Sequence, residues 1–205
     1  GSEMCIRDSS WIGWTQLESF STWHNVEYAT KNNGFGGLDA RLMINSPLHQ
    51  RHLENLERWN KEGLFVYKGR GNHADASFYS GECAITMGSS GTLANIRRNA
   101  KFEYATSTLP YYEGTPDAPQ NTAIGGASLW AMAGKPDAEN RCVAEFFNFL
   151  SDPKVQAANH QRTGYLPVTM KAFELSKESG YYDKNPGSDV AVTVSYTHLT
   201  LPTKL

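Results

Sequence analysis

Apolar side chains recur every three or four residues along several stretches of the chain, a spacing typical of helices packed on a core. The clearest stretch opens with Ser46-Pro47, a helix-capping residue followed by proline at the first helical position, and stops at Gly63. Its apolar face is formed by Leu48, His52, Leu56 and Trp59, with Leu53 beside them. We therefore predict a long amphipathic helix between Ser46 and Gly63.

The same reasoning predicts further helices, separated by segments with the pattern of strands. The predicted helices cover residues 92–101, 137–150, 153–163 and 171–179. The predicted strands cover residues 78–86, where Cys83, Ile85 and Met87 alternate, residues 102–109, and a buried apolar run at 127–133. Strands and helices that alternate along the chain indicate an α/β fold, with helices packed on a sheet.

Composition narrows the class of protein. The chain is 40% hydrophobic and 20% charged, with a formal net charge of -2, values typical of a globular protein of one or two domains. A charge so close to zero argues against a nucleic-acid partner, because a phosphate backbone usually demands a basic face. The sequence contains no run of 18 apolar residues that would span a bilayer.

Three cysteines, Cys5, Cys83 and Cys142, are too few and too scattered for a disulfide framework. We expect them to be small buried side chains, since free cysteine is among the most buried residue types. A disulfide between Cys83 and Cys142 is the one pairing left open.

Residues 88–92, Gly-Ser-Ser-Gly-Thr, join a predicted strand to the start of a helix. Free backbone N–H groups and the positive end of the helix dipole favour an anion at such a junction, and the hydroxyls of Ser89 and Ser90 add donors. The same residues are common as plain helix caps, so the turn by itself leaves both roles open. Its spacing matches neither a P-loop nor a nucleophile elbow.

Two other turns carry candidate ligand-binding groups. The backbone N–H of Gly126 can face an anion, although a tight turn is the simpler explanation of its glycine pair. Tyr165 follows a predicted helix end, where its hydroxyl reaches either a bound oxygen or solvent.

Aromatic residues cluster near the start of the chain. Trp14, Phe20 and Trp23 have the spacing of core residues on a helix. Trp11, just beyond the Ser9-Ser10 pair, is the better candidate for the apolar wall of a ligand site.

Histidines and carboxylates give no sign of a metal centre. His49 and His52 lie three residues apart on the predicted charged helix with no third ligand nearby, so we expect them on a solvated face. The other histidines are scattered, and no pair of carboxylates stands out from surface charge. We predict no metal, no cofactor and no catalytic residue. An enzyme, such as a hydrolase that uses Ser89 or Ser90, would need His73 or His160 beside either serine.

Five segments resemble, in the same order, the sn-glycerol-3-phosphate-binding proteins of ABC importers, which are members of extracellular solute-binding protein family 1. The resemblance extends over nearly all of residues 10–192. The segments are Lys31-Asn32-Asn33-Gly34-Phe35, Ser89-Ser90-Gly91-Thr92-Leu93-Ala94-Asn95-Ile96-Arg97, Asp117-Ala118-Pro119-Gln120-Asn121, Ile124-Gly125-Gly126-Ala127-Ser128-Leu129-Trp130 and Thr163-Gly164-Tyr165-Leu166-Pro167.

The resemblance implies a type II periplasmic-binding-protein fold, two α/β lobes around a cleft, of which this chain is mostly the C-terminal lobe. It implies that Ser89, and less directly Ser90, bind the phosphate through hydroxyls. It further implies that Gly126 contributes a backbone N–H, Tyr165 a hydroxyl and Trp11 an aromatic wall. The protein would be a monomer that captures sn-glycerol 3-phosphate in the periplasm and delivers it to the membrane permease subunits.

The chain departs from the family pattern in its length and at its ends. Family members are roughly twice as long, and their first lobe and a C-terminal arginine also contact the ligand. We therefore expect this chain alone to bind weakly or not at all, because charge-assisted hydrogen bonds are the strongest kind. Residues 1–9 and 194–205 resemble translated sequencing-adapter sequence, so residues 10–193 are the expected native part, with the signal peptide outside it.

Two alternatives to glycerol 3-phosphate capture follow from the sequence. In the first, the longer protein to which residues 10–193 are expected to belong, here called the parent protein, binds a glycerophosphodiester such as glycerophosphocholine, or an oligosaccharide. The second is a structural or adhesion module with an empty cleft. Such a module would scatter Trp11, Ser89, Gly126 and Tyr165 over the surface, whereas a binding protein would gather them on one face.

Overall fold

A computed structural model describes the backbone of residues 5–9, 11–123 and 125–192, and the side chains of the last two ranges. The strands are β1 (Cys5–Ser9), β2 (Phe65–Val66) and β3 (Cys83–Met87). The helices are α1 (Ser19–Trp23), α2 (Thr30–Asn33), α3 (Pro47–Lys61), α4 (Asp75–Tyr79), α5 (Leu93–Asn99), α6 (Asp137–Ser151), α7 (Pro153–Thr163), α8 (Met170–Glu178) and α9 (Tyr181–Lys184). A π-helical turn, Trp14–Glu18, leads into α1, and a 3₁₀ turn, Ser90–Thr92, leads into α5.

The three strands form one parallel sheet in the order β2-β1-β3. Parallel strands all point the same way, so the segments that follow them leave the sheet at the same side. These segments are residues 11–13 after β1, 67–74 after β2 and 88–92 after β3, and we call them together the carboxyl edge. In open α/β sheets this edge is where ligands bind.

Local capping signals set the ends of the helices. The Ser46 hydroxyl accepts a hydrogen bond from the backbone N–H of His49, with Pro47 at the first position of α3. Asp152 does the same for α7 through the N–H of Lys154, at 2.7 Å, and Gly164 ends α7 in the left-handed conformation. The helices predicted at 46–63, 137–150, 153–163 and 171–179 are confirmed to within one or two residues.

The strand predictions were less accurate. Residues 75–79 form α4, so β3 begins at Cys83 and not at residue 78. Residues 102–109 have no regular secondary structure, and residues 127–133 form neither a strand nor a buried run, since Leu129 and Trp130 are 64% and 84% exposed. An apolar run becomes a strand only beside another strand, and among the described residues none lies next to either segment.

The core lies between the sheet and the first helices. Phe20 and Trp23 are buried there, as their spacing predicted. Cys83 is buried and disulfide-bonded, whereas Cys142 is a free and exposed thiol. The expectation of free, buried cysteines is therefore wrong for Cys142, which is exposed, and for Cys83, which is bonded, and a bond between Cys83 and Cys142 is excluded. No helix within the described residues is both long and apolar enough to cross a bilayer.

His49 and His52, expected on a solvated face, are buried in this core. The ring of His52 stacks on Phe20 with centroids 3.9 Å apart, and its Nε2 lies 2.9 Å from Gln16 Oε1. His49 lies between two serines, with Nε2 2.8 Å from Ser21 Oγ and Nδ1 2.7 Å from Ser46 Oγ. The prediction failed because neutral imidazole, satisfied on both nitrogens, packs in a core like any aromatic ring.

The hydrogen bonds of His24 and His49 require neutral rings. Because Ser21 donates its proton to the Leu17 carbonyl, His49 Nε2 must donate to Ser21, which leaves Nδ1 to accept from Ser46. His24 donates from Nδ1 to the Phe20 carbonyl and accepts at Nε2 from the backbone N–H of Tyr112. Burial accordingly lowers the pKa of both His24 and His49.

The predicted foreign segments at the ends stay a prediction. Residues 193–205 lie outside the described residues. At the other end, the backbone of Cys5–Ser9 pairs with both β2 and β3, so these five residues occupy the centre of the sheet.

Candidate functional site

Trp11 and Ser89 leave neighbouring strands at equivalent positions. Ser9 of β1 pairs with Met87 of β3, and Trp11 and Ser89 each follow two residues later. Neighbouring strands lie about 4.8 Å apart, so both residues sit on the same part of the carboxyl edge. The sheet thus brings together two of the predicted ligand-binding residues that are 78 positions apart in the sequence.

The loop after β2 holds Trp11 in place. The backbone N–H of Trp11 donates to the Gly71 carbonyl at 2.9 Å, and its indole Nε1–H donates to the side-chain oxygen of Asn72. Trp11 has a φ of 51°, a conformation that costs a non-glycine residue energy and persists where surrounding contacts impose it. Its side chain stays 52% exposed, so the indole presents a fixed apolar surface to the solvent side of the edge.

Replacing Asn72 by alanine is expected to release the Trp11 indole. Loss of one net hydrogen bond, about 1 kcal/mol, should make the Nε1–H of Trp11 exchange with solvent roughly fivefold faster. Hydrogen-exchange NMR of the indole N–H measures this rate, and the resonance of Trp11 is the one that disappears in Trp11→Phe. Asn99→Ala, at an exposed asparagine on α5, is the matched control. An unchanged exchange rate in Asn72→Ala would show that Asn72 does not fix the ring.

The turn after β3 presents two serine hydroxyls. Ser89 caps the 3₁₀ turn, and its Oγ accepts from the backbone N–H of Gly91 at 3.2 Å. Neither Ser89 nor Ser90 donates its hydroxyl proton to another described residue. Both side chains are half-buried, so these protons remain available to an acceptor at the carboxyl edge. The capping role and the binding role left open by the sequence are thus compatible in Ser89.

Tyr165 packs directly on this turn. A Cβ built on Gly91 would lie 2.8 Å from Tyr165 Cζ and 3.2 Å from its hydroxyl oxygen. A Cβ on Gly164 would lie 2.9 Å from the Ser90 carbonyl oxygen. The absence of a side chain at Gly91 and Gly164 therefore lets the end of α7 approach closely enough to bring the Tyr165 hydroxyl beside the serine turn.

Gly126 follows a glycine that packs on a tryptophan ring. Its neighbour Gly125 is stacked on the Trp14 ring, since a Cβ there would lie 3.3 Å from Trp14 Cζ2. Gly126 itself has a φ of 151° and open space where a side chain would be. Trp14 was expected in the core, but it is half-buried, one helical turn beyond Trp11, and its ring supports the glycine turn.

The structure places four of the five predicted residues on one side of the sheet. Trp11, Ser89, Ser90 and Tyr165 lie at the carboxyl edge, and Gly126 follows Gly125, which packs on the Trp14 ring. The adhesion module with scattered residues does not fit this arrangement.

The hydrolase alternative needs a histidine beside Ser89 or Ser90. His160 is buried, with Nδ1 2.6 Å from the Tyr165 carbonyl and Nε2 3.0 Å from the Tyr182 hydroxyl, so both nitrogens are engaged away from the serines. His73 is exposed and forms no hydrogen bond with either serine, all three being described residues. Within the described ranges no group of three His, Cys, Asp or Glu side chains could hold a metal ion.

Sequence reasoning missed Asn72, Gly91 and Trp14. The pattern Gly69-Arg70-Gly71-Asn72 was the available signal for the first, because closely spaced glycines after a strand mark a loop that approaches another backbone. The exposed Arg70 lies in this loop and adds a positive charge to the carboxyl edge.

A cavity of about 130 Å³ lies behind the edge and shares no residue with the five candidates. Its wall includes Gln16 and Trp23, whose side-chain nitrogens have no hydrogen-bond partner among the described residues. The remaining lining is largely aromatic and apolar, from Phe20, Trp59, Met87, Leu109, Pro110, Tyr111 and Tyr112. This cavity belongs to the core packing and is separate from the candidate site.

A parallel sheet whose carboxyl edge carries hydroxyl donors and an exposed aromatic ring is the arrangement found at solute sites of open α/β folds. The family model described as bacterial extracellular solute-binding protein matches residues 7–187, and the chain belongs to this family.

Among curated proteins, the chain is 50% identical to the sn-glycerol-3-phosphate-binding periplasmic protein UgpB of Yersinia enterocolitica over 198 residues, and equally to that of Salmonella typhimurium. The alignment covers 97% of this chain and 45% of each relative, so the chain spans a little under half of their length.

A solved structure has the same fold. UgpB from Mycobacterium tuberculosis, in complex with glycerophosphocholine, superposes with a TM-score of 0.75 at 23% identity. The match covers 94% of this chain and 46% of that one. The type II binding-protein fold and the partial coverage implied by the sequence resemblance are thereby confirmed.

Proposed function

We propose that this chain is part of the substrate-binding component of an ABC importer, whose parent protein captures sn-glycerol 3-phosphate in the periplasm. The observation that carries the proposal is the gathering of Trp11, Ser89, Ser90 and Tyr165 at the carboxyl edge of a family fold. The names of relatives 50% identical over nearly the whole chain support the choice of ligand.

Each residue has a role that its geometry allows. Phosphate oxygens accept hydrogen bonds from the hydroxyls of Ser89, Ser90 and Tyr165 and from the backbone N–H of Gly126. The Trp11 ring lies against the glycerol carbons. A dianion held by neutral donors alone lacks a cationic partner such as arginine, whose bidentate pairing with phosphate gives the strongest hydrogen bonds. The rest of the parent supplies further contacts, and closure of its two lobes on the ligand shifts the population from open to closed forms.

The parent works as a monomer and passes its ligand to the permease subunits without making or breaking a bond. The relatives are binding proteins by name. A binding role needs donors aimed at the ligand and no general base, which agrees with the engagement of both His160 nitrogens elsewhere.

Residues 10–193 are the native part of the parent, mostly its second lobe, and residues 1–9 and 194–205 are foreign to it. Because Cys5–Ser9 fills the centre of the sheet, the parent must carry its own strand at this position. Sequencing the gene outward from residue 10 tests this, and the same residues found at 1–9 in the intact gene would refute it.

Two conservative substitutions in the parent test the site. Ser89→Ala and Tyr165→Phe each remove one donor to a charged ligand, so each should weaken glycerol 3-phosphate binding by about tenfold or more. Tryptophan fluorescence titration measures the affinity. Ser151→Ala and Tyr111→Phe, at exposed positions elsewhere, are the matched controls.

Equal affinity in Ser89→Ala, Tyr165→Phe and the wild type would withdraw these residues from the site. Titration of glycerophosphocholine in parallel decides between the two ligand classes, because the parent should bind its own ligand more tightly.

A further inference from the structure

A second pocket lies at the far end of α5 from the carboxyl edge. It encloses about 200 Å³, and its described lining residues are Arg97, Tyr104, Lys184, Asn185 and Pro186. Two of these five are cations and none is a carboxylate. The pocket is therefore positively charged and carries polar groups from three separate parts of the chain.

Arg97 is held rigidly without being neutralised. One terminal nitrogen donates to the Tyr181 hydroxyl at 2.8 Å and the other donates to Ser188 Oγ. Both hydroxyls direct their own protons to backbone carbonyls, of Gln161 and Asn185, so each presents a lone pair to Arg97. Two neutral acceptors fix the guanidinium plane and leave three of its five N–H donors unused.

Lys184 adds a second uncompensated charge. Neither Arg97 nor Lys184 forms an ion pair with a carboxylate among the described residues, although five other lysines do. The charge of Arg97 also acts outside the pocket. Burial is the main cause that lowers the pKa of His160, and the positive charge of Arg97 lowers it further.

The wall of the pocket is fixed by close packing. A Cβ on Gly187 would lie 2.8 Å from Thr106 Cβ, so the turn after α9 is pressed against the segment that carries Tyr104. Asn185 is held in addition, because its side-chain nitrogen donates to the Tyr181 carbonyl at 2.9 Å. Arg97 and Asn185 are thus arranged before any ligand arrives, which lowers the entropy cost of binding.

We propose that this pocket binds a small oxyanion, either inorganic phosphate or the phosphate group of an ester. A preorganised guanidinium with free N–H donors suits phosphate oxygens, and the Lys184 ammonium adds a point charge. The site is distinct from the carboxyl edge, since it shares no lining residue with the candidates there and residues 93–96 of α5 separate Arg97 from the 3₁₀ turn, a rise of about 7.5 Å along the helix. It goes beyond the proposed function and does not depend on it.

The test uses the 205-residue chain itself, because every residue of the pocket lies in it. Inorganic phosphate is titrated calorimetrically at low ionic strength into the wild type and into Lys184→Gln, after circular dichroism has shown that both are folded. We expect saturable binding that is about tenfold weaker in Lys184→Gln. Lys154→Gln, at an exposed lysine on α7, is matched in charge and should bind like the wild type.

Two further arms separate this site from the first and identify the source of the oxyanion. Ser89→Ala should bind inorganic phosphate as tightly as the wild type, since its hydroxyl lies at the other end of α5. Glycerol 3-phosphate titrated into Ser89→Ala then shows whether the pocket also takes an ester. Absence of saturable phosphate binding, an equal loss in Lys184→Gln and Lys154→Gln, or loss of phosphate binding in Ser89→Ala would each overturn the proposal.

Discussion

Gly164→Ala is expected to destabilise the chain by about 2–5 kcal/mol and to disrupt the serine turn at the same time. Gly164 has a φ of 81°, where any other residue costs about 1–2 kcal/mol. The new Cβ would also lie 2.9 Å from the Ser90 carbonyl oxygen, a rigid backbone atom, and such overpacking costs about 1–3 kcal/mol. Urea unfolding measures the change in the free energy of unfolding.

The matched control for this change is Gly13→Ala. Gly13 has an ordinary φ, and a Cβ there meets nothing within 4 Å, so alanine should be neutral or slightly stabilising. Gly91→Ala separates contact from backbone strain, because Gly91 does not have a positive φ but would press on the Tyr165 ring. It should displace Tyr165 with little loss of stability. Equal stability of Gly164→Ala and Gly13→Ala would contradict the packing of α7 on the serine turn.

Acidification is expected to unfold the chain at pH values well above those at which carboxylates titrate. Burial lowers the pKa of His24, His49 and His160 in the folded state, while in the unfolded chain each titrates near 6.5. The unfolded chain therefore binds more protons below about pH 6.5, and stability falls as the pH drops from there through the folded-state values. Above about pH 6.5 the stabilisation from neutral burial is fully present.

The free energy of unfolding is expected to change steeply with pH. Each buried histidine contributes at most about 1.4 kcal/mol per pH unit, so three contribute up to about 4 kcal/mol per unit. Urea unfolding midpoints between about pH 7 and pH 5 give this slope. His49→Gln keeps one donor and one acceptor between Ser21 and Ser46 and should reduce the slope by about a third. His73→Gln, at an exposed histidine, is the control, and stability that does not change with pH in this interval would refute neutral burial.

The helices were predictable because their signals are local. Ser46-Pro47 and Asp152-Pro153 place a capping oxygen and a preset proline at the start of a helix, and the structure shows both caps formed. Gly164 marks the end of α7 for an equally local reason.

Strand formation and the burial of side chains were harder to predict, because both depend on contacts with segments that are distant in the sequence. Residues 127–133 have the composition of a buried strand, yet they are exposed because no described strand lies beside them. Two phenylalanines of α6, Phe146 and Phe149, are likewise more than half exposed. For His49 and His52 the error was the opposite one: they were predicted exposed but are buried, because their partners Ser21 and Gln16 are 28 and 36 residues away in the sequence.

The candidate site likewise contains residues that were proposed from the sequence and residues that were found only in the structure. Trp11, Ser89, Gly126 and Tyr165 were proposed from the sequence resemblance, and their roles in binding stay a prediction. Asn72 was not found, because its role depends on the register that places the loop after β2 beside Trp11. Trp14 was assigned to the core on spacing alone, whereas its contact is with Gly125, 111 residues away.

The most direct test of the central claim is calorimetric titration of sn-glycerol 3-phosphate into the parent protein. If the carboxyl edge is half of a solute site, the wild type should bind one ligand per chain with a saturable heat, and Ser89→Ala should lose most of the affinity. If neither glycerol 3-phosphate nor glycerophosphocholine binds a folded parent, the fold stands but the proposed ligand class and the roles of Trp11, Ser89, Ser90, Gly126 and Tyr165 do not.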